Sequence, residues 1–234
     1  MSGRLILFPV HIGCDDLSHS LPAYNLDLLY GCHTFIVEEL RTARRFLKHA
    51  GYPHSIDSTT FFLLNEHTGE ADVASYLDAA QQGEDVGLLS EAGLPCVADP
   101  GRLITRQAQQ AGIEVVPLVG PSSIMLALMA SGFNGQNFAF CGYLPVDRHE
   151  RATAIRTLEQ RVLRNDQTQI FIEAPYRNNQ MLATLAETLH HDTMVCVACD
   201  LTLPSQYIVS RPASQWRNDT PNLHKRNTVF LIGK

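Results

Sequence analysis

Short apolar runs alternate with longer amphipathic stretches along almost the whole chain. The runs "RLILFPV", "TFIVEE", "DVGLLSE", "EVVPLVG", "FAFCGYL", "TQIFIEA", "MVCVACDL", "YIVSRP" and "TVFLIGK" have the length and side-chain types of strands. Helical spacing of apolar residues falls near 22–30, 41–49, 70–82, 101–111, 122–130, 148–164 and 177–189, with a weaker stretch at 211–216. Strands separated by helices predict an α/β protein with largely parallel sheets. Toward the C-terminal end the strands crowd together, which predicts a mixed sheet in the second half. The stretch "PLVGPSS", Pro117 to Ser123, holds two Pro and a Gly and divides the chain nearly in half. It predicts two α/β domains, 1–118 and 119–234.

Composition narrows the class. A chain of 234 residues is long enough to build a core without staples. The net charge of -6 argues against bulk nucleic-acid affinity and leaves room for a local basic patch. No apolar run reaches the roughly 18–20 residues that span a bilayer. The N-terminal "MSGRLILFPVHIG" reads as a buried first strand rather than a signal peptide. A cytoplasmic protein is therefore expected, with its six cysteines reduced. "CVAC" has metal or redox spacing, but on a strand Cys196 and Cys199 point to opposite faces, so two buried thiols are expected.

Several motifs are missing. No two glycines stand two residues apart, which removes the G-x-G-x-x-G dinucleotide fingerprint, and no P-loop or H-E-x-x-H occurs. "GPSSI" is not a nucleophile elbow, because Ile124 stands where G-x-S-x-G needs Gly. His190 and His191 read as solvated helix-end residues, and no metal is expected.

The informative residues should follow strands, where ligands of such folds bind. In "SEAGLPCVADPG", Ser90 to Gly101, Gly93 and Pro95 bend the chain as it leaves a strand. Backbone groups in that turn are expected to stay free of ladder pairing, where a polar small molecule can partner them, against the plain alternative of a tight turn and a capped helix; Asp99 reads as N-cap and Pro100 as the first helical residue. "GPSS" opens an apolar helix, where Ser122 or Ser123 can cap it or meet a ligand. Met125 and Met129 in that helix are expected in the core. Residues alone lead to a two-domain α/β protein with a polar, glycine-bent site and name no reaction.

Taken together, the loops resemble the tetrapyrrole-methylase superfamily of S-adenosylmethionine-dependent methyltransferases, and within it the bacterial 16S rRNA cytidine 2′-O-methyltransferase family. "SEAGLPCVADPG" resembles the signature S-D-A-G-x-P-x-x-x-D-P-G, with Glu91 for Asp. "VVPLVGPSSIMLALMASGF", "FAFCGYLP", "FIEAPYRNN" and "EELRTARRFL" resemble four further family stretches in the same order. In the first loop Cys14 stands where the family has Asn, and Leu203 and Pro204 stand where it has a Lys. The sequence stops at Lys234, so a divergent member without the family's C-terminal extension is expected.

The resemblance implies two α/β domains of the tetrapyrrole-methylase type, with the cofactor cleft between them, in a homodimer. It implies S-adenosyl-L-methionine as cofactor. Ser90, Glu91, Ala92, Gly93 and Pro95 would lie at its methionine end, with Gly120, Pro121, Ser122 and Ser123 as the facing wall. Leu144, Pro145, Ala174, Asn227 and Thr228 would lie on the adenosine side. Glu38, matching the family's E-D, would be a base or substrate-orienting group, against a structural carboxylate paired with Arg41. Arg41, Arg44 and Lys48 share a helix face by spacing and would meet RNA phosphates, against a solvated face or dimer rim. Arg177 would meet substrate, or pair with Glu173. The implied activity is methylation of ribosomal RNA at a ribose 2′-hydroxyl. The alternatives are a small tetrapyrrole-like substrate and a non-catalytic cofactor-binding module.

Overall fold

The computed structural model describes residues 2–65, 68–69, 73 and 75–234. The chain divides into two compact units, Met1–Ser122 and Ser123–Lys234. Val119–Ser122 thus belongs with the first unit.

The first unit is a five-stranded sheet of β1 (Arg4–Phe8), β2 (Thr34–Val37), β3 (Thr60–Leu63), β4 (Val86–Leu89) and β5 (Glu114–Pro117), in the order β3-β2-β4-β1-β5. Every pairing is parallel. Parallel strands of this kind are buried on both faces, which is why they read as unbroken apolar runs. Ile6 and Phe8 of β1 enter one core with Phe35, Val37, Phe46 and Leu47. Leu5 and Leu7 enter the other with Ile36, Leu88, Ile104 and Ala108. Helices α1 (Ala23–Tyr30) and α2 (Leu40–His49) cover the first face. Helices α3 (Asp78–Gln81) and α4 (Arg102–Gln110) cover the second.

Two expectations change here. "TFFL" forms β3, a strand that periodicity missed. It is the edge of the sheet, its end residues are exposed, and it carries no alternation strong enough to mark it. Of the helix expected at 70–82, Asp78–Gln81 is helical, while residues 70–72 and 74 lie outside the described residues.

The second unit is a mixed sheet of β6 (Phe138–Tyr143), β7 (Thr168–Ile172), β8 (Met194–Cys199), β9 (Tyr207–Pro212) and β10 (Thr228–Gly233), in the order β6-β7-β10-β8-β9. Only the β6–β7 pair is parallel; the other three pairings are antiparallel. Helices α6 (Arg148–Asn165) and α7 (Asn178–Thr188) pack on one face and α5 (Ser123–Ser131) on the other. Cys199 lies in the first of these cores and Cys196 in the second, both buried and free, as strand geometry required. The reading of "IMLALMA" as core holds for Ile124, Ala127 and Leu128 but fails for Met125 and Met129, which are 38% and 79% exposed. The expected helical stretch at 211–216 is a 3-10 turn, Ala213–Arg217, that buries Trp216. Among the described residues no helix is long and apolar enough to cross a membrane.

Gly87, inside β4, shows how tightly the first core is closed. A Cβ there would lie 2.6 Å from Phe35 Cδ1 and 3.0 Å from Phe8 Cε2. Gly87→Ala is therefore expected to lower unfolding free energy by about 1–3 kcal/mol through overpacking. Denaturant unfolding measures it; an unchanged midpoint would mean the two rings can move aside.

Candidate functional site

In the first sheet the chain leaves β1 toward β2 on one side and leaves β4 toward β5 on the other. Since β1 and β4 are neighbours, their carboxyl ends form the topological switch point, where open α/β sheets bind ligands. Phe8 and Leu89 are in register, so the following loops start level. They then pair with each other: Val10 N–H donates to Gly93 O and Gly93 N–H to Val10 O, each at 2.9 Å. The expectation that the turn's backbone stays free is thus wrong at Gly93, whose two polar groups are spent on Val10. The glycine is needed for its conformation, φ +74°.

The remaining loops close on the same edge. Glu91 Oε1 accepts the backbone N–H of Glu39 at 3.2 Å, tying the loop after β4 to the start of α2. Glu39 caps α2 by accepting the N–H of Arg41 at 2.9 Å. Gly120, after β5, stands against Pro9: an added Cβ would be 2.2 Å from Pro9 Cβ. Asn25, buried on α1, donates to Val119 O at 2.8 Å. Ser90 Oγ donates to Ala92 O at 3.1 Å. Ser90, Glu91, Ala92, Gly93, Pro95, Gly120, Pro121 and Ser122 are therefore gathered along one edge of the first unit, with Glu38 half-buried at the end of β2. Ser123, the last member of that expected wall, opens α5 in the second unit.

Beyond Pro95 the loop is strained. Cys96 and Ala98 adopt φ 67° and 62°, a left-handed conformation costing a residue with a Cβ about 1–2 kcal/mol. Asp99 holds them: its Oδ1 accepts from Cys96 N at 2.7 Å and from Gly101 N at 2.8 Å. Burial pushes its carboxyl above the ordinary 3.8, against the opposing pull of these bonds and of Ser90. Asp99 is not the N-cap that spacing suggested. The helix begins at Arg102 with Gly101 at its cap, so Asp99 fastens the turn before it.

Three features of α2 bear on substrate. Arg41, Arg44 and Lys48 are all exposed. Arg44, Arg45 and Lys48 line a groove of about 700 Å³ with Tyr52, His54 and Asp57, and Arg44 lies over the Phe61 ring at 5.7 Å. Arg41 is not part of that lining; Arg45 takes its place, because the groove runs along the later turns of the helix. A second cavity of about 380 Å³ joins the loops after β1 and β4 to α2, where His11, His49 and Arg45 meet Glu91. The rings of His11 and His49 are 5.9 Å apart. Burial, then the neighbouring His49, pushes His11 below 6.5, with Asp15 opposing. His11, His49 and Arg45 were missed. The only signal was a His inside "PVHIG", in a loop already marked as following a strand.

In the second unit, three expected segments come together. Tyr143 is in register with Ile172, and Ile172 with Val229, so Leu144, Glu173 and Thr228 follow or flank adjacent strand ends. Lys225 N donates to Pro175 O at 2.9 Å and Asn178 Nδ2 to Arg226 O at 2.6 Å, pinning the segment before β10 to the turn after β7. Leu144, Pro145, Ala174, Asn227 and Thr228 are thus neighbours. Leu144 is buried in the core and Thr228 is buried at the sheet end, so their side chains are largely structural. Arg177 pairs with Glu173, its Nε at 2.9 Å and Nη2 at 2.5 Å from Oε1. His190, His191 and Asp192 lie exposed at the end of α7, their ligating atoms within 4.8 Å of one another.

A parallel sheet with its polar loops collected at the switch point belongs to the open α/β class, whose ligand sites lie at the carboxyl ends of the strands. The model of the tetrapyrrole (corrin/porphyrin) methylases matches residues 25–216. A ribosomal RNA small subunit methyltransferase I of Pasteurella multocida is 32% identical over 198 residues, covering 83% of this chain and 67% of the relative. One from Pseudomonas aeruginosa is 31% identical over 235 residues, covering 99% and 79%. Among solved structures, the methyltransferase CobJ superposes with a TM-score of 0.64 at 18% identity, covering all of this chain and 95% of the other. A diphthine synthase described as putative, from Entamoeba histolytica, gives 0.63 at 17%, covering all of this chain and 92% of the other. The chain belongs to the tetrapyrrole methylase family and is a methyltransferase. The resemblance read from its loops is borne out.

Asp99 supplies a test of the strained loop. Asp99→Ala leaves the Cys96 and Gly101 N–H groups without their acceptor and is expected to cost about 1–3 kcal/mol. Asp99→Asn keeps an acceptor oxygen and sheds the buried charge, so it should cost less. Equal losses in thermal unfolding would show that the charge, rather than the acceptor, holds the turn.

Proposed function

We propose that this chain is an S-adenosylmethionine-dependent methyltransferase that methylates a ribose 2′-hydroxyl of ribosomal RNA. The observation that carries the cofactor site is the Val10–Gly93 pairing, which places the family's glycine-bent loop at the switch point of a parallel sheet. The RNA reading is supported by the curated relatives, whose names specify ribosomal RNA, and by the cationic groove on α2. The same reading carries a homodimer acting in the cytoplasm; the exposed Met125 and Met129 on α5 offer apolar surface for such an interface.

The donor supplies an electrophilic methyl group on a sulfonium, and the protein's work is alignment, worth up to roughly 7–11 kcal/mol in well-oriented cases. In the first unit, Ser90, Glu91, Ala92, Gly93, Pro95, Gly120, Pro121 and Ser122 hold the donor's methionine end, with Ser123 added from the start of α5. In the second unit, Leu144, Pro145, Ala174, Asn227 and Thr228 hold its adenosine through backbone groups and close packing. Glu38, at the end of β2, accepts the proton of the attacking hydroxyl or orients it. Arg44 and Lys48, with Arg45 and with Arg41 at the head of the same helix, neutralise RNA phosphates.

Thermal unfolding with and without S-adenosylmethionine tests the cofactor. Ligand at about 100 times its Kd adds roughly 2.7 kcal/mol, a rise of about 5–10 °C at this size. Gly93→Ala strains a residue held at φ +74° and should abolish that rise; a full shift in the variant would remove Gly93 from the site. Arg44→Ala and Lys48→Ala should each lower the slope of log binding constant against log salt, measured with an rRNA fragment, by roughly 1. Unchanged slopes would mean that the α2 groove does not touch RNA.

A further inference from the structure

Tyr143 and Tyr176 are each 62% exposed, although large aromatic side chains are normally buried or anchored by a partner. They stand at the carboxyl ends of β6 and β7, the one parallel pair of the second sheet. Tyr143 is aimed by a bulge. Phe140 pairs with Ile170 but Tyr143 pairs with Ile172, so β6 carries one extra residue between them. Gly142 absorbs it at φ +66°, with open space where a Cβ would stand. One inserted residue moves the following side chain to the other face, and bulges next to functional sites serve that purpose.

Tyr176 is held by a different device. It lies in the 3-10 turn Pro175–Arg177 directly after β7. Arg177 sits against its ring, 5.3 Å from the centroid, and Tyr143 ends the neighbouring strand, in register with Ile172. That guanidinium is fixed by Glu173, whose side chain is fully buried and whose Oε1 also accepts the N–H of Ala174 at 2.7 Å. The other carboxylate oxygen, Oε2, is buried with no partner among the described residues. A buried carboxylate at the end of a strand thus spends its charge on steadying one arginine beneath one exposed ring.

We propose that Tyr143 and Tyr176, steadied by Arg177 on Glu173, form a stacking platform for unpaired nucleobases of a single-stranded RNA segment. This rests on the reading of the chain as an RNA methyltransferase. Exposed aromatic rings beside a planar guanidinium are the means by which proteins hold splayed-out bases, and any base has a face to offer them. The chemistry differs from that of the α2 groove. Arg177 is already neutralised by Glu173, so the platform holds bases rather than phosphates and contributes little to salt dependence.

The test is binding of a fluorescein-labelled single-stranded RNA of about 12 nucleotides, read by anisotropy at several salt concentrations, with the unfolding midpoint of the donor-free protein as control for folding and the donor-induced shift measured alongside. Tyr143→Ala and Tyr176→Ala are each expected to weaken binding about 5- to 100-fold with the salt slope unchanged, whereas the Phe variants keep it. A duplex of the same sequence should not register these changes, because its bases are already stacked. Tyr→Ala variants that bind the single strand as well as wild type overturn the platform and leave the RNA reading standing. Wild-type protein that binds no RNA overturns both. Loss of the donor-induced shift in Tyr143→Ala or Tyr176→Ala would assign the rings to the donor's adenine. A change in oligomeric state without a change in RNA affinity would assign them to a protein interface. Either result overturns the platform.

Discussion

Two backbone hydrogen bonds between Val10 and Gly93 set the geometry on which the candidate site depends. Parallel strands leave their carboxyl-end loops unpaired, and each loop must find partners for its own N–H and C=O groups. Here the loops after β1 and β4 satisfy one another. The others are then drawn onto the same edge by single contacts: Glu91 to Glu39, Gly120 against Pro9, Asn25 to Val119. Left-handed residues make this possible. Gly93 takes its conformation at no steric cost, while Cys96 and Ala98 take theirs only because Asp99 bonds on both sides of them. Strained residues of this kind cluster in functional loops, and here a half-buried carboxylate holds them beside the candidate site.

The second unit solves the corresponding problem with charge. Its strand ends are joined by Lys225 to Pro175 and Asn178 to Arg226, and Glu173 is buried beneath them. A buried carboxylate is costly unless it is paired, and Arg177 and the Ala174 N–H pair it. The result is a fixed arginine at the surface, not a mobile one. That distinguishes Arg177 from Arg44, Arg45 and Lys48 of α2, which stand exposed along a groove. The two units thus carry two kinds of polar surface, one paired and nearly neutral, one exposed and cationic.

Much of this was legible in the chain. The strand runs marked nine of the ten strands of the described residues, and the helix spacings marked all seven α-helices, to within one residue at each end except for the short Asp78–Gln81. The one missed strand, β3, is an edge strand with exposed ends, and a half-exposed edge has no need of the apolar run that betrays a buried strand. The order "SEAGLPCVADPG" marked a family resemblance, and the chain belongs to that family. Sequence spacing erred where one local pattern fits two arrangements, and where the partner lay far along the chain. Asp99 looked like an N-cap, yet it bonds Cys96 as well as Gly101. Met125 and Met129 looked like core, yet they are 38% and 79% exposed. His11 and His49 lie in different elements, and nothing local links them.

What the sequence determined by itself is what short-range physics writes locally: which stretches are strands or helices, where glycine and proline bend the chain, and which loop signatures belong together. Strand order, the Val10–Gly93 pairing, the parity shift at Gly142 and the pairing of Glu173 with Arg177 beneath Tyr176 were decided only by the tertiary structure. Most of these join residues through strand neighbours or across tens of positions, and hydrophobic periodicity is the same whichever neighbour a buried strand takes. A strand's pattern says that it is covered; only the folded sheet says by what, and therefore which loops meet at its edge.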